Sequence, residues 1–258
     1  MILFGHFIPF HYLVIGAMAA LFALSLVLRA RGAKRQEAHD AALAEGARAR
    51  GWHFATDHSP GRLVHRYGGS ADGVKWTAES AADRRSGRSR GTWANRTRWN
   101  GAAPPLRGQV VEIWPARGSG IQSGVELSPD NPLVRMLFRP ITEALGVDES
   151  RTGELLDVRE WNSGGALERH FSVRATDPAA AERLFDDDAR AALLAYGEWT
   201  AQSGSARHGG GLILALFWDQ GLTILARWAD IEGLARLTEV GSALCKAPGR
   251  GLGNVPAA

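Results

Sequence analysis

No Asp, Glu, Lys or Arg occurs before Arg29, and that opening constrains the chain more than any other feature. As a helix, residues 10–28 would measure about 28 Å, close to the ~30 Å hydrocarbon core of a bilayer. A cleaved signal peptide would want a basic start, a shorter apolar run and small residues at the cut. Here the flank is uncharged and the run ends in Val27-Leu28-Arg29. A buried core helix seldom runs this long without a charge. Residues 1–29 therefore read as a retained transmembrane anchor, with residues 10–28 against the lipid bilayer. His6, Pro9 and His11 fall at its outer end, where a polar ring meets headgroups.

Orientation follows from the flanks. Arg29, Arg31, Lys34 and Arg35 come after the span and no charged side chain comes before it. The positive-inside rule then places the N-terminus outside and the rest of the chain in the cytoplasm, as a single-pass protein of the cell membrane. One cysteine, Cys245, excludes an internal disulfide and a Cys-based zinc site, which suits a reducing compartment. With 258 residues, 45% hydrophobic and 22% charged, the chain can bury a sizeable core and is not a disordered one.

Past the anchor, an Ala-rich segment with Gln, Glu and Arg reads as a helical stalk over 30–51, ended by Gly51, with Arg48 and Arg50 in the last turn where the helix dipole favours cations. From Trp52 the pattern alternates. Leu63, His65 and Tyr67, a Gly-rich turn through Asp72-Gly73, then Val74, Trp76 and Ala78 predict a hairpin, and further strands are expected at 95–100 and 109–114. Residues 52–117 would form an antiparallel meander. A helix is expected over 131–146, broken near Pro140. A strand at 170–175 leads to Thr176-Asp177-Pro178, an N-cap followed by proline in the first turn, and a helix to about Trp199. Strands at 212–218 and 222–228 then form a hairpin, and Asp230 opens a last helix ending in a small-residue tail at 248–258. Strands first and helices last, without a βαβ series, predict an α+β domain over 52–247: an antiparallel sheet with two packed C-terminal helices, with a subdivision near 118–150 as the alternative.

Motifs with built-in chemistry are scarce. There is no Walker A loop, no His-Glu-x-x-His and no Gly-x-Ser-x-Gly. Gly209-Gly210-Gly211 precedes a strand rather than the helix N-terminus a phosphate loop needs, and Gly249 to Gly253 lies in the tail. Asp186, Asp187 and Asp188 on a helix point in three directions and cannot share a cation. The histidines after the anchor, His39, His53, His58, His65, His170 and His208, are scattered. Cys245 beside Lys246 sits at a helix C-terminus, whose dipole disfavours thiolate, and reads as packing. The expectation is no cofactor, no metal and a non-enzymatic role. A membrane-tethered enzyme would have to assemble its site from dispersed groups such as His65, His170 and Asp177.

One stretch exceeds this background. Arg84, Arg85, Arg88, Arg90, Arg96, Arg98 and Arg107 occur without an intervening acid, interleaved with Trp93 and Trp99. Together with the four cations flanking the anchor they leave −8 on the rest of a chain whose net charge is +3. Guanidinium pairs with phosphate and indole sits at membrane interfaces or stacks on bases. For a tethered domain the anionic headgroups of the inner leaflet are the nearer partner, and nucleic acid is the alternative. A solvated loop over 84–92 would account for the same residues. The leading expectation is thus a binding or scaffold module held near the inner leaflet, with any protein partner unspecified.

Arginine outnumbers lysine 27 to 3, as in a high-GC bacterial genome. Arg50-Gly51-Trp52-His53-Phe54 after an anchor, then Phe171-Ser172-Val173, Asp177-Pro178 and the hairpin from Leu212 to Trp228, resemble bacterial single-pass membrane-anchored proteins of uncharacterised function. The resemblance implies the layout and brings no catalytic residues with it.

Overall fold

The computed structural model describes residues 2–3, 6–7, 10–59, 62–83, 95–103, 106, 109–116, 132–162, 165–202, 211–218, 221–227 and 230–251. The chain divides into two compact units, Met1–Gly46 and Ala47–Ala258.

In the first unit, β1 (Ile2–Leu3) and β2 (His6–Phe7) pair as a short antiparallel ribbon. Helix α1 (Phe10–Ala49) begins in this unit, ends three residues past it, and is continuous through residues 29–30, so the expected step from anchor to stalk leaves no mark on the backbone. Nine large apolar side chains between Val14 and Leu28 stand 40% to 66% exposed. Arg29, Arg31, Lys34 and Arg35 are exposed as well. Among the described residues no helix is long and apolar enough to cross a membrane. The side chains of residues 10–13 lie outside the described residues.

The second unit is an α+β domain on a nine-stranded antiparallel sheet. Its strands are β3 (His53–Ser59), β4 (Arg62–Ala71), β5 (Val74–Asp83), β6 (Asn95–Gly101), β7 (Val111–Pro115), β8 (Arg159–Trp161), β9 (Phe171–Ala175), β10 (Gly211–Trp218) and β11 (Gly221–Arg227). They lie in the order β3-β4-β5-β6-β11-β10-β7-β9-β8. The expected meander therefore stops at β6. The β10–β11 hairpin inserts between β6 and β7, placing its apolar residues at the middle of the sheet, where both faces are covered. The β4–β5 turn is as expected, with Asp72 at φ 53° and Gly73 at φ 83°, the left-handed pair a two-residue hairpin needs. The strands run closer to that turn than the sequence suggests, and Gly68 and Gly69 lie within β4.

Period-two alternation builds the core directly. One register row crosses all nine strands: Phe54, Tyr67, Ala78, Trp99, Ile224, Ala215, Ile113, Val173 and Trp161. This face packs with α4 (Pro178–Leu184), α5 (Asp187–Gln202) and α6 (Ile231–Gly251) in one apolar cluster. Trp99 is fully buried at its centre. A Cβ on Gly101 or Gly241 would come within 2.4 or 2.5 Å of the Trp99 ring, so these two glycines make the space the indole fills. Trp76 stacks on Trp99 with ring centroids 6.4 Å apart, and Trp52 meets Trp76 edge-on at 4.9 Å.

The helices correct three expectations. The single helix to Trp199 is two, because Phe185 leaves helical geometry and Asp186 accepts a hydrogen bond from the Ala189 amide, starting α5 anew. Asp177 caps α4 as expected, accepting from the Ala179 amide. Helix α6 runs to Gly251, past the expected end at 247, while residues 252–258 lie outside the described residues. Helix α2 (Pro132–Leu145) continues through Pro140. Pro140 is exposed, so water can satisfy the carbonyl that the missing N–H leaves open. Together with α3 (Thr152–Leu156), α2 covers the second face of the sheet over β7, β10 and β11, burying Ile141, Leu145, Leu155, Leu214, Leu216 and Leu225.

Candidate functional site

The second face changes character along one row. It begins with Ala55, Arg66, Glu79 and Arg98 on β3 to β6, and turns apolar at Leu225 and Leu214 where α2 and α3 lie. The polar half carries a cross-strand charge ladder. Arg66 lies 3.8 Å from Asp57 and 3.6 Å from Glu79, and Arg98 approaches Glu79 to 3.3 Å. Arg98 stands at the border of the two halves, since a Cβ on Gly146, just past α2, would come 3.1 Å from its Nη1. Its Nε is buried without a hydrogen-bond partner. The exposed Arg66–Asp57 pair adds about 0–1 kcal/mol, and the Arg98–Glu79 pair is partly buried.

This geometry revises the Arg-rich stretch. Trp99 was expected at an anionic surface, and it is instead the centre of the core, because alternation on β6 points it to the helix-covered face. Arg98 points the other way but is partly neutralised by Glu79. Arg96 shares that face, half-buried. Arg84, Arg85, Arg88, Arg90, Trp93 and Arg107 lie outside the described residues.

The dispersed groups do not converge. His65 lies on β4, second in the sheet order, and packs on Phe54. His170 precedes β9, eighth in that order, so the two are separated by six inter-strand steps, about 29 Å. A Cβ on Gly197 would come within 2.7 Å of the His170 ring, which therefore lies against α5. Asp177 stands at the opposite end of β9, engaged with the Ala179 amide and with Gln109 at 3.0 Å. Among the described residues no group of three or more His, Cys, Asp or Glu could hold a metal ion. Cys245 is buried beside Gly101, and burial pushes its thiol up to about 12, while Lys246 pairs with Asp72 at 3.0 Å. The thiol is packing.

Sequence reasoning missed one titratable group. Glu112, on β7, is 2% exposed. Burial pushes its carboxyl up to about 7, against the Trp114 indole N–H donating to it at 2.9 Å and Arg174 at 3.7 Å. Arg174 also donates to the Val158 carbonyl, tying β9 to the segment before β8. The signal was present as a lone acid inside Val110-Val111-Glu112-Ile113-Trp114, a run that otherwise reads as fully buried. At this burial no substrate reaches the carboxyl. It is a structural acid whose charge state is linked to stability.

Compared with protein-family models, with curated proteins and with solved structures, the chain matches none.

Proposed function

We propose that the chain is a single-pass membrane protein whose α+β domain works in the cytoplasm as a binding or scaffold module at the inner leaflet. One observation carries the reading: the exposed apolar side chains between Val14 and Leu28 fall on every side of α1. A helix docked on one partner in water would be apolar on one stripe only, whereas a helix apolar all round belongs in a core or a bilayer. Counted from Phe10, the backbone is helical through Leu28 and carries no charge. The exposed cations at 29, 31, 34 and 35 argue for the cytoplasmic orientation. The arginines at 84, 85, 88 and 90 supply headgroup contact in this reading, since Arg98 is engaged with Glu79.

Replacing Leu21 and Leu24 together by Arg tests the anchor, at about 2.5–3.5 kcal/mol per charge at the centre of a span. The unaltered chain is expected to stay with membranes through a high-pH carbonate wash and to leave only in detergent, while the double variant is released. Release of the unaltered chain by carbonate would end the proposal.

A further inference from the structure

The two edges of the sheet differ in kind. Strand β8 has three residues, the short edge that proteins use to avoid strand-to-strand association. Strand β3 has seven, pairs with β4 in continuous register from His53↔Gly68 to Ser59↔Arg62, and contains no proline, lysine or bulge. Among the described residues no strand lies on its outer side.

We propose that β3 is a self-association edge, pairing antiparallel with β3 of a second copy of this chain about a two-fold axis at Ala55. The side chains support that register. Antiparallel pairing centred on Ala55 sets His53 opposite Asp57 of the second copy, and Asp57 opposite its His53. Both pairs fall on the same face as Ala55, an imidazole donor meeting a carboxylate twice. On the other face Phe54 meets Thr56 of the second copy, an aromatic against a β-branched side chain, a pairing that stabilises antiparallel strands. His53 and Ala55 are exposed and so accessible for it. A two-fold axis makes one edge serve both partners and closes the assembly at two, whereas an unrelated strand would need its own complement to this pattern. The pairing does not depend on the anchor reading.

The test is disulfide trapping of the full chain in whole-cell lysate, soluble and membrane fractions together, with Cys245→Ala as background and copper-phenanthroline as oxidant. Directly opposed residues have Cα atoms about 4.5–5.5 Å apart, within the roughly 4.4–6.8 Å a disulfide spans. Ala55→Cys should therefore give several-fold more cross-linked dimer than Lys75→Cys, an exposed position on an interior strand. His53→Cys alone should stay at the Lys75→Cys level, because His53 and its symmetry mate are four residues out of step, about 13 Å. His53→Cys combined with Asp57→Cys should cross-link like Ala55→Cys. Dimer from Ala55→Cys no greater than from Lys75→Cys, or His53→Cys cross-linking as well as Ala55→Cys, would overturn the proposal.

Discussion

Replacing Glu112 by Gln should stabilise the protein, and only above mildly acidic pH. The carboxyl titrates near 7 in the folded state against an ordinary value of 4.5. Below 4.5 it is protonated folded or unfolded and contributes no pH-dependent term. Between 4.5 and 7 the folded state holds a proton that the unfolded state releases, so stability falls as pH rises, and the loss is complete above 7. A difference of 2.5 units at 1.36 kcal/mol each is about 3 kcal/mol. Glutamine keeps an oxygen for the Trp114 indole N–H and removes the buried charge. It also removes the counter-charge of Arg174, which keeps its bond to the Val158 carbonyl. The assay is urea denaturation of the full chain in mild detergent, followed by tryptophan fluorescence from pH 4.5 to 8.5. The variant and the parent should be equally stable at the acid end and separate by about 3 kcal/mol in favour of the variant at pH 8. A gap that is constant with pH, or one that favours the parent at pH 8, would refute the burial argument.

Local patterns were legible in the sequence and long-range pairing was not. Alternation finds β4, β5 and β9, the expected strands at 95–100 and 109–114 correspond to β6 and β7, two apolar runs joined by a turn find β10 and β11, and capping chemistry finds Asp177 and Asp230, whose carboxylate accepts from the Gly233 amide. No local signal says that β11 pairs with β6, because that register joins Ile224 to Trp99 across 125 positions. Short elements such as α3 and β8 lack the length for periodicity to appear. Composition makes the Arg-rich stretch a single block because it ignores alternation. On β6 the pleat sends Trp99 into the core and Arg98 to the opposite face. Glu112 is not legible as a perturbed acid because its burial depends on the assembled sheet and its ion-pair partner Arg174 lies on β9, 62 positions along the chain, although Trp114 is a near neighbour in sequence.

Gly241→Ala should cost about 1–3 kcal/mol, as a Cβ would sit 2.5 Å from the Trp99 ring. Trp99→Phe combined with it should cost less than the sum of the two singles in the same denaturation assay, and strict additivity would contradict the packing. Cys245 should resist iodoacetamide at pH 8 in the folded chain and react at once in denaturant, since its thiol is buried and held near 12; mass spectrometry reads the difference. Anionic vesicles should float the full chain carrying the two anchor-breaking arginines at low salt, and neutral vesicles should not. Changing Arg84, Arg85, Arg88 and Arg90 to Gln should weaken that binding by up to about a thousandfold, at ~1 kcal/mol per cation. Unchanged flotation would remove these arginines from headgroup contact.

Topology tests the central claim most directly. With Cys245 replaced by Ala and a new cysteine added after Ala258, cells are treated with a membrane-impermeant thiol reagent before and after lysis. An anchored protein with a cytoplasmic domain is labelled only after lysis, and its membrane fraction resists carbonate. Labelling in intact cells would contradict the orientation, and a carbonate-soluble protein would contradict the anchor itself.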